Sequence, residues 1–259
     1  MVQSALPMKR ALFSFLALVT VLLNSCIDGE EEVFVEANGS ARVKAVYRVP
    51  GVIFSAEDAE ELRGNVIEEV AKQKHLKLIT NRVDKENGNR VVTIEIETDD
   101  MMALEGVMAK RTPKVNPSKA DKMLQAIMGN ITVSLHGLSA DFSREVDLGP
   151  LLRENLGKSS ASILGDSEFR YIVHLPEAAG QSNAHFVENG GKTLKWAYKL
   201  RECAHKPILL KMMAPIPLPW WIYAVVIAVG LLIVWSGYTL IRKVKRASTK
   251  SLETSPAGE

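Results

Sequence analysis

Apolar and polar residues alternate with a period of two over residues 32–37, where Val33 and Val35 share one face and Glu32, Phe34 and Glu36 the other. The same period returns over 41–49, and the tight-turn pair Asn38-Gly39 lies between the two runs, so the pattern predicts a β-hairpin ended by Pro50-Gly51. The period then changes. Ala59, Leu62, Val66, Ile67, Val70 and Ala71 fall at helical spacing and predict a helix over 55–74. Ser55 and Asp58 fit an acidic capping box, and Glu57, Asp58, Glu60 and Glu61 at the start with Lys72 and Lys74 at the end suit the helix dipole. These charges therefore have a structural explanation. Residues 76–83 and 90–97, around Asn87-Gly88, predict a second hairpin, and Thr98-Asp99-Asp100 reads as the cap of a short helix over 99–109.

Pro113 and Pro117 mark 110–119 as a linker or loop and a sub-boundary. Beyond it the pattern predicts a short amphipathic helix over 120–128 and strands over 130–137, 140–148 and 168–175, the last stopped by Pro176. A hairpin over 184–187 and 193–200 turns at Asn189-Gly190-Gly191, and 208–212 adds a final strand; 151–162 has no clear period. The expected fold is α+β: an antiparallel sheet built from hairpins with helices on one face, plus one C-terminal transmembrane helix.

The two ends supply the membrane part of that expectation. Lys9 and Arg10 precede an apolar stretch over 11–23, too short to span a bilayer and of the form of a secretory signal; Met8 opens the more usual version of it. Residues 220–241 form an uncharged run of 22, flanked by Trp220, Trp221 and Tyr223 on one side and Trp235 and Tyr238 towards the other, followed at once by Arg242, Lys243, Lys245 and Arg246. Such a run predicts a membrane-crossing helix whose basic flank stays cytoplasmic. The expected plan is a signal over 1–25, an exported domain over 26–214, a proline-rich spacer over 215–219, a transmembrane helix over 220–241 and a cytoplasmic tail over 242–259, placed at the inner membrane.

Composition narrows the function. The chain has 32 Lys plus Arg and 30 Asp plus Glu; removing the ends beyond 27–219 leaves 25 against 28, a net charge of −3. A near-neutral exported domain lacks the basic face that nucleic acid requires. The histidines His75, His136, His174, His185 and His205 show no i, i+4 zinc pair, though His174 and His185 flank one loop and Cys203 and His205 alternate on one side of a strand end. No phosphate loop, nucleophile elbow or dinucleotide fingerprint is present, and no cofactor or metal is expected. Asp99-Asp100 reads as a cap, not a catalytic pair. Phe169 and Tyr171 share one strand face, as do Trp196 and Tyr198; these four are candidates to line an amphiphile pocket, against the simpler reading of ordinary core packing.

Leu23-Asn24-Ser25-Cys26 resembles the bacterial lipobox, with Asn24 a departure from the usual small residue; the alternative is an ordinary signal with an incidental cysteine. The resemblance implies lipidation of Cys26, which leaves Cys203 unpaired. The Cys26 start with Asn38-Gly39-Ser40, then Val173-His174-Leu175-Pro176 with Ser182-Asn183-Ala184, then Gly191-Lys192-Thr193-Leu194-Lys195-Trp196 before a proline-rich approach, together resemble the LppM-type envelope lipoprotein domain. Residues 99–165 have no counterpart in it. The resemblance implies a non-catalytic envelope role in binding lipid or another amphiphile. The alternatives are a structural or assembly partner of another envelope protein and, on the mere presence of Ser, His and Asp, an envelope enzyme.

Overall fold

The alternating runs assemble into two sheets that share one core. The computed structural model describes residues 27–101, 116–156, 164–216, 225 and 227–238. The chain divides into two units, Met1–Pro217 and Leu218–Glu259. In the first, β1 (Asp28–Val35) and β2 (Ala41–Pro50) form a hairpin, α1 (Ala56–Ala71) follows, and β3 (Leu76–Glu86) and β4 (Asn89–Thr98) form the second hairpin. Asn87 and Gly88 have φ of 47° and 84°, the left-handed pair that a two-residue hairpin turn demands. Both arms of the Ser55–Asp58 capping box form, at 3.0 and 2.9 Å. A second box, Ser118 with Asp121, starts α2 (Lys119–Met128). A cap of this kind is worth about 1 kcal/mol, enough to fix where each helix begins.

Strands β5 (Asn130–His136) and β6 (Ser139–Val146), helix α3 (Gly149–Leu156), and β7 (Glu168–His174) come next. The two-residue strand β8 (Gln181–Ser182), β9 (Phe186–Glu188), β10 (Thr193–Lys199), the one-turn helix α4 (Leu200–Cys203) and β11 (Ile208–Pro215) complete the unit. The seven-stranded sheet has the order β3-β4-β2-β1-β7-β10-β9 and the four-stranded sheet the order β5-β6-β11-β8. Gly129, between α2 and β5, has φ of 63°, and a Cβ there would collide with the Glu145 carbonyl, so only glycine fits this crossing.

Three expectations need correction. The large sheet is mixed, not antiparallel throughout: β1 and β7 run parallel, Gly29 opposite Phe169 through Phe34 opposite His174. Hairpins force antiparallel neighbours, but β7 reaches β1 through a long excursion that leaves its direction free. The helices do not have the inner face to themselves, because the four-stranded sheet shares it: Phe142, Val146, Leu210 and Met212 belong to the same core as Val33, Tyr47, Leu62 and Trp196. Finally, among the described residues no helix is long and apolar enough to cross a membrane, which says nothing of β-barrels. The expected C-terminal transmembrane helix over 220–241 is therefore withdrawn. The short helix expected over 99–109 lies, past 101, outside the described residues, as does Cys26.

One polar contact joins the layers. Glu31 projects from β1 into the core, where its carboxylate accepts two hydrogen bonds from Arg144 of β6, one of them from Nη2 to Oε1 at 3.0 Å and the other from Nη1 to Oε2. Tyr47 Oη donates to Glu31 Oε1 at 2.6 Å. Arg144 also donates through Nε to the Met128 carbonyl at 3.2 Å and through Nη2 to that of Ile127, so it satisfies the last turn of α2 as well. Its guanidinium lies 5.1 Å from the Tyr171 ring centre. Burial, the largest single influence, works against the Arg144 charge, but Glu31 together with the Tyr171 and Tyr47 phenols outweighs it, and the group titrates above its ordinary range. Burial, then the Glu31 carboxylate, raises the Tyr47 phenol well above its usual value.

Removing one partner strands the other charge in the core. Arg144→Met is expected to lower unfolding free energy by about 3–5 kcal/mol, and Glu31→Leu with Arg144→Met by clearly less, read from urea denaturation of the full chain. A double variant no more stable than the single would show that charge is not what the pair resolves. Cys203 is free and buried, and its Sγ donates to the Lys199 carbonyl at 3.3 Å. Burial, with Glu202 adding, pushes its thiol from about 9 up to about 11. The folded state thus favours the protonated thiol: that contribution is complete below about pH 9 and fades as pH rises towards 11. At pH 8 an aromatic disulfide reagent is expected to label Cys203 only as fast as the chain opens, with peptide mapping as the readout; a rapid burst at Cys203 would contradict this.

Candidate apolar binding site

The inner face of the large sheet does not close completely against what covers it. Val33, Val43, Ala45 and Ile94 from the strands face Leu62 and Val66 of α1, Leu124 and Ile127 of α2, and Ile131 and Phe142 of the second sheet, around a cavity of about 120 Å³. The local reasons are simple. Residues two apart in a strand share a face, so β2 presents Val43, Ala45 and Tyr47 together, and Ala45 is too small to fill its place. Residues three to four apart in α1 point Leu62, Val66 and Val70 at the same space.

The cavity has a polar end, made by Glu31, Arg144, Tyr47 and Tyr171, and Glu69 also borders it. The Glu31 and Arg144 groups are spent on each other, on Tyr47 and on the α2 carbonyls, so the space between them and the helices is apolar. An apolar cavity of roughly 150 Å³ stays dry and accepts a benzene-sized guest. This one is close to that size.

Two further hollows share its walls. One, of about 250 Å³, opens where the β1–β2 turn, the β5–β6 hairpin and the end of β11 meet; Met101 and Phe142 border both it and the central cavity. The other, of about 70 Å³, is lined by Ile27, Gly29 and Phe169 and shares Tyr47 and Ile127 with the centre. Gly29 is required here: a Cβ would stand 2.9 Å from the Phe169 ring. Ile27 is held in place by its N–H, which donates to Ser167 Oγ at 3.1 Å.

The four aromatic candidates are divided by the fold. Phe169 lines the small hollow and Tyr171 the polar end of the central cavity. Trp196 is buried, with Nε1 donating to Asn183 Oδ1 at 2.8 Å, and its ring packs 5.8 Å from Tyr171 behind the cavity wall. Tyr198 donates to the Leu209 carbonyl at 3.2 Å and meets the edge of His185 at 4.7 Å, bordering none of these hollows. Cys26, the lipidation candidate, lies outside the described residues. Sequence reasoning missed Glu31 and Arg144. A signal existed, since Arg144 stands between Phe142 and Val146 on the inward face of β6, where the period calls for an apolar residue.

The other chemistry-bearing side chains sit elsewhere. His174 and His185 have separate partners, and Cys203 lies in a helical turn, not at a strand end. Glu32, His174 and Thr193 line up on the outer face of the large sheet: His174 Nε2 is 2.8 Å from Glu32 Oε1 and its Nδ1 3.3 Å from Thr193 Oγ1, while the imidazole stacks on Phe34 at 4.6 Å. The order carboxylate, imidazole, hydroxyl resembles a nucleophile relay. However, Thr193 is only 3% exposed and its hydroxyl accepts from Asn189 Nδ2 at 2.9 Å, so a substrate carbonyl has no approach to it. The group reads as a structural clasp between β1, β7 and β10. Among the described residues no group of three or more His, Cys, Asp or Glu is placed to hold a metal ion.

No protein-family model matches the chain, and no curated relative matches it in sequence. Among solved structures, the NMR structure of the folded domain of the Mycobacterium tuberculosis LppM protein is weakly similar, with a TM-score of 0.46 and 11% identity over 74% of this chain and 91% of that one. At that level the likeness marks a resemblance in arrangement and carries no functional argument.

Proposed function

We propose that this chain is a non-catalytic envelope protein whose core cavity takes the apolar part of an amphiphile. The observation that carries the reading is the central cavity itself, walled by apolar side chains from the large sheet, α1, α2 and the second sheet and bordered by an ion pair whose groups bond to each other, to Tyr47 and to α2 carbonyls. A cavity of about 120 Å³ is smaller than the roughly 300–1,000 Å³ of drug-sized sites, so it suits a segment of alkyl chain, with the neighbouring hollows receiving the remainder. Export by the N-terminal signal and lipidation at Cys26 belong to the same reading. The lipobox-like Leu23-Asn24-Ser25-Cys26 supports them, and Ile27, the next residue, is pinned beside the small hollow.

The methionine methyls report occupancy. With ¹³C-methyl methionine in the full chain, titration with dodecanoate is expected to shift Met128 and Met101, which border the cavity, and to leave Met213, outside it, in place. Ala45→Leu fills the space and is expected to weaken binding at least tenfold while keeping or raising the melting temperature. Equal binding by both proteins, or an unmoved Met128 signal, would remove the cavity as the binding site.

A further inference from the structure

The two edges of the large sheet are unequal: β9 offers 3 residues, whereas β3 runs for 11. Asn87-Gly88 closes β3 onto β4 as a two-residue turn, so Glu86 and Asn89 form the hydrogen-bonded pair beside it. Alternation from there points the N–H and C=O groups of Asp84, Arg82 and Thr80 at β4, and those of Lys85, Val83 and Asn81 away from the sheet. Among the described residues no backbone group pairs with that outward row. The turn ends the row on one side, and a bulge between Leu78 and Thr80 ends it on the other.

A bare edge invites another strand, and its side chains select which. On the outer face Arg82 and Asp84 are 67% and 45% exposed, with Arg82 Nε 3.1 Å from Asp84 Oδ2. Antiparallel pairing of β3 with a copy of itself, about a two-fold axis at Val83, sets Arg82 opposite Asp84 of the second copy and Asp84 opposite its Arg82. Thr80 then faces Glu86, Val83 faces Val83 and Asn81 faces Lys85. Moving the axis to position 82 or 84 sets arginine against arginine or aspartate against aspartate, so charge selects the one register. The inner face agrees. Asn81 Nδ2 donates to the Arg63 carbonyl at 2.8 Å, but its buried Oδ1 accepts nothing among the described residues. Lys85 of the second copy brings a donor to that side chain. Helix α1 starts from the end of β2 and reaches β3 at Arg63, so it crosses the sheet obliquely and leaves Lys85 and Glu86 exposed.

We propose that β3 is a dimer interface, in which two copies of this chain pair antiparallel through residues 80–86 about an axis at Val83 and join their large sheets. The short β9 at the opposite edge keeps the assembly a closed pair. The inference does not draw on the cavity, whose occupancy the methionine signals read separately.

Sedimentation velocity of the full chain in a neutral detergent is expected to show a dimer. Arg82→Asp sets carboxylates against each other and is expected to weaken association at least tenfold, and Arg82→Asp combined with Asp84→Arg to restore it; both side chains are exposed, so the fold is spared. In a separate protein, Val83→Cys is expected to form an 83–83 disulfide under mild oxidation, because Cα atoms of such a pair stand about 5.5 Å apart and a disulfide spans roughly 4.4–6.8 Å. Its yield is expected to exceed tenfold that of Lys85→Cys, whose own copies lie far out of register. Peptide mapping separates this link from any at Cys26 or Cys203. A monomeric chain, a dimer indifferent to the charge swap, or equal crosslinking at 83 and 85 would each overturn the proposal.

Discussion

The Glu31–Arg144 pair constrains everything around it. A carboxylate and a guanidinium in an apolar core each carry a desolvation cost of several kcal/mol, recovered only in one geometry, with every strong bond made. Here that geometry requires β1, β2, β6 and the end of α2 at once, because Glu31, Tyr47, Arg144 and the carbonyls of Ile127 and Met128 come from those four elements. The two sheets share no strand, and across the core they meet through side chains. A purely aliphatic contact tolerates sliding, and a bidentate ion pair does not. The pair therefore acts as the register mark between layers.

The same constraint accounts for the imperfect closure of the core. Once Arg144 is held at β1, the distance between the large sheet and the helices is set by a long side chain. Ala45 and Val43 are too short to fill the gap that results. Cores ordinarily reach crystal-like density, and an unfilled space costs about 24 cal/mol per Å³ of residual volume. On that scale a hollow of about 120 Å³ is a burden of roughly 3 kcal/mol that a better-packed residue at position 45 would relieve. Its persistence is the physical motive for reading it as a place for a guest.

Local order was readable where it is local. Ser55 with Asp58, the stripe from Ala59 to Val70, and the turn Asn87-Gly88 describe their own elements, because capping, helical spacing and left-handed turns involve residues within four of each other. Ser118 with Asp121 repeats the same capping pattern and begins α2 in the same way. The aromatic candidates show the limit of such reading. Phe169, Tyr171, Trp196 and Tyr198 alternate identically along their strands, yet they end at a small hollow, a polar cavity end, a buried amide partner and a backbone carbonyl of β11. Alternation specifies a face and leaves open what lies across from it.

By itself, then, the chain determined helices α1 and α2, the first two hairpins and the apolar character of 220–241, all of which follow from near neighbours or composition. Tertiary structure decided the parallel joining of β1 to β7, the division into two sheets, the meeting of Glu31 with Arg144 across 113 positions of sequence, and the cavity beside them. The reason is range. Hydrogen bonding within a turn is short and directional, whereas the neighbours of a buried charge are chosen by how distant segments pack, and no spacing along the chain encodes that choice.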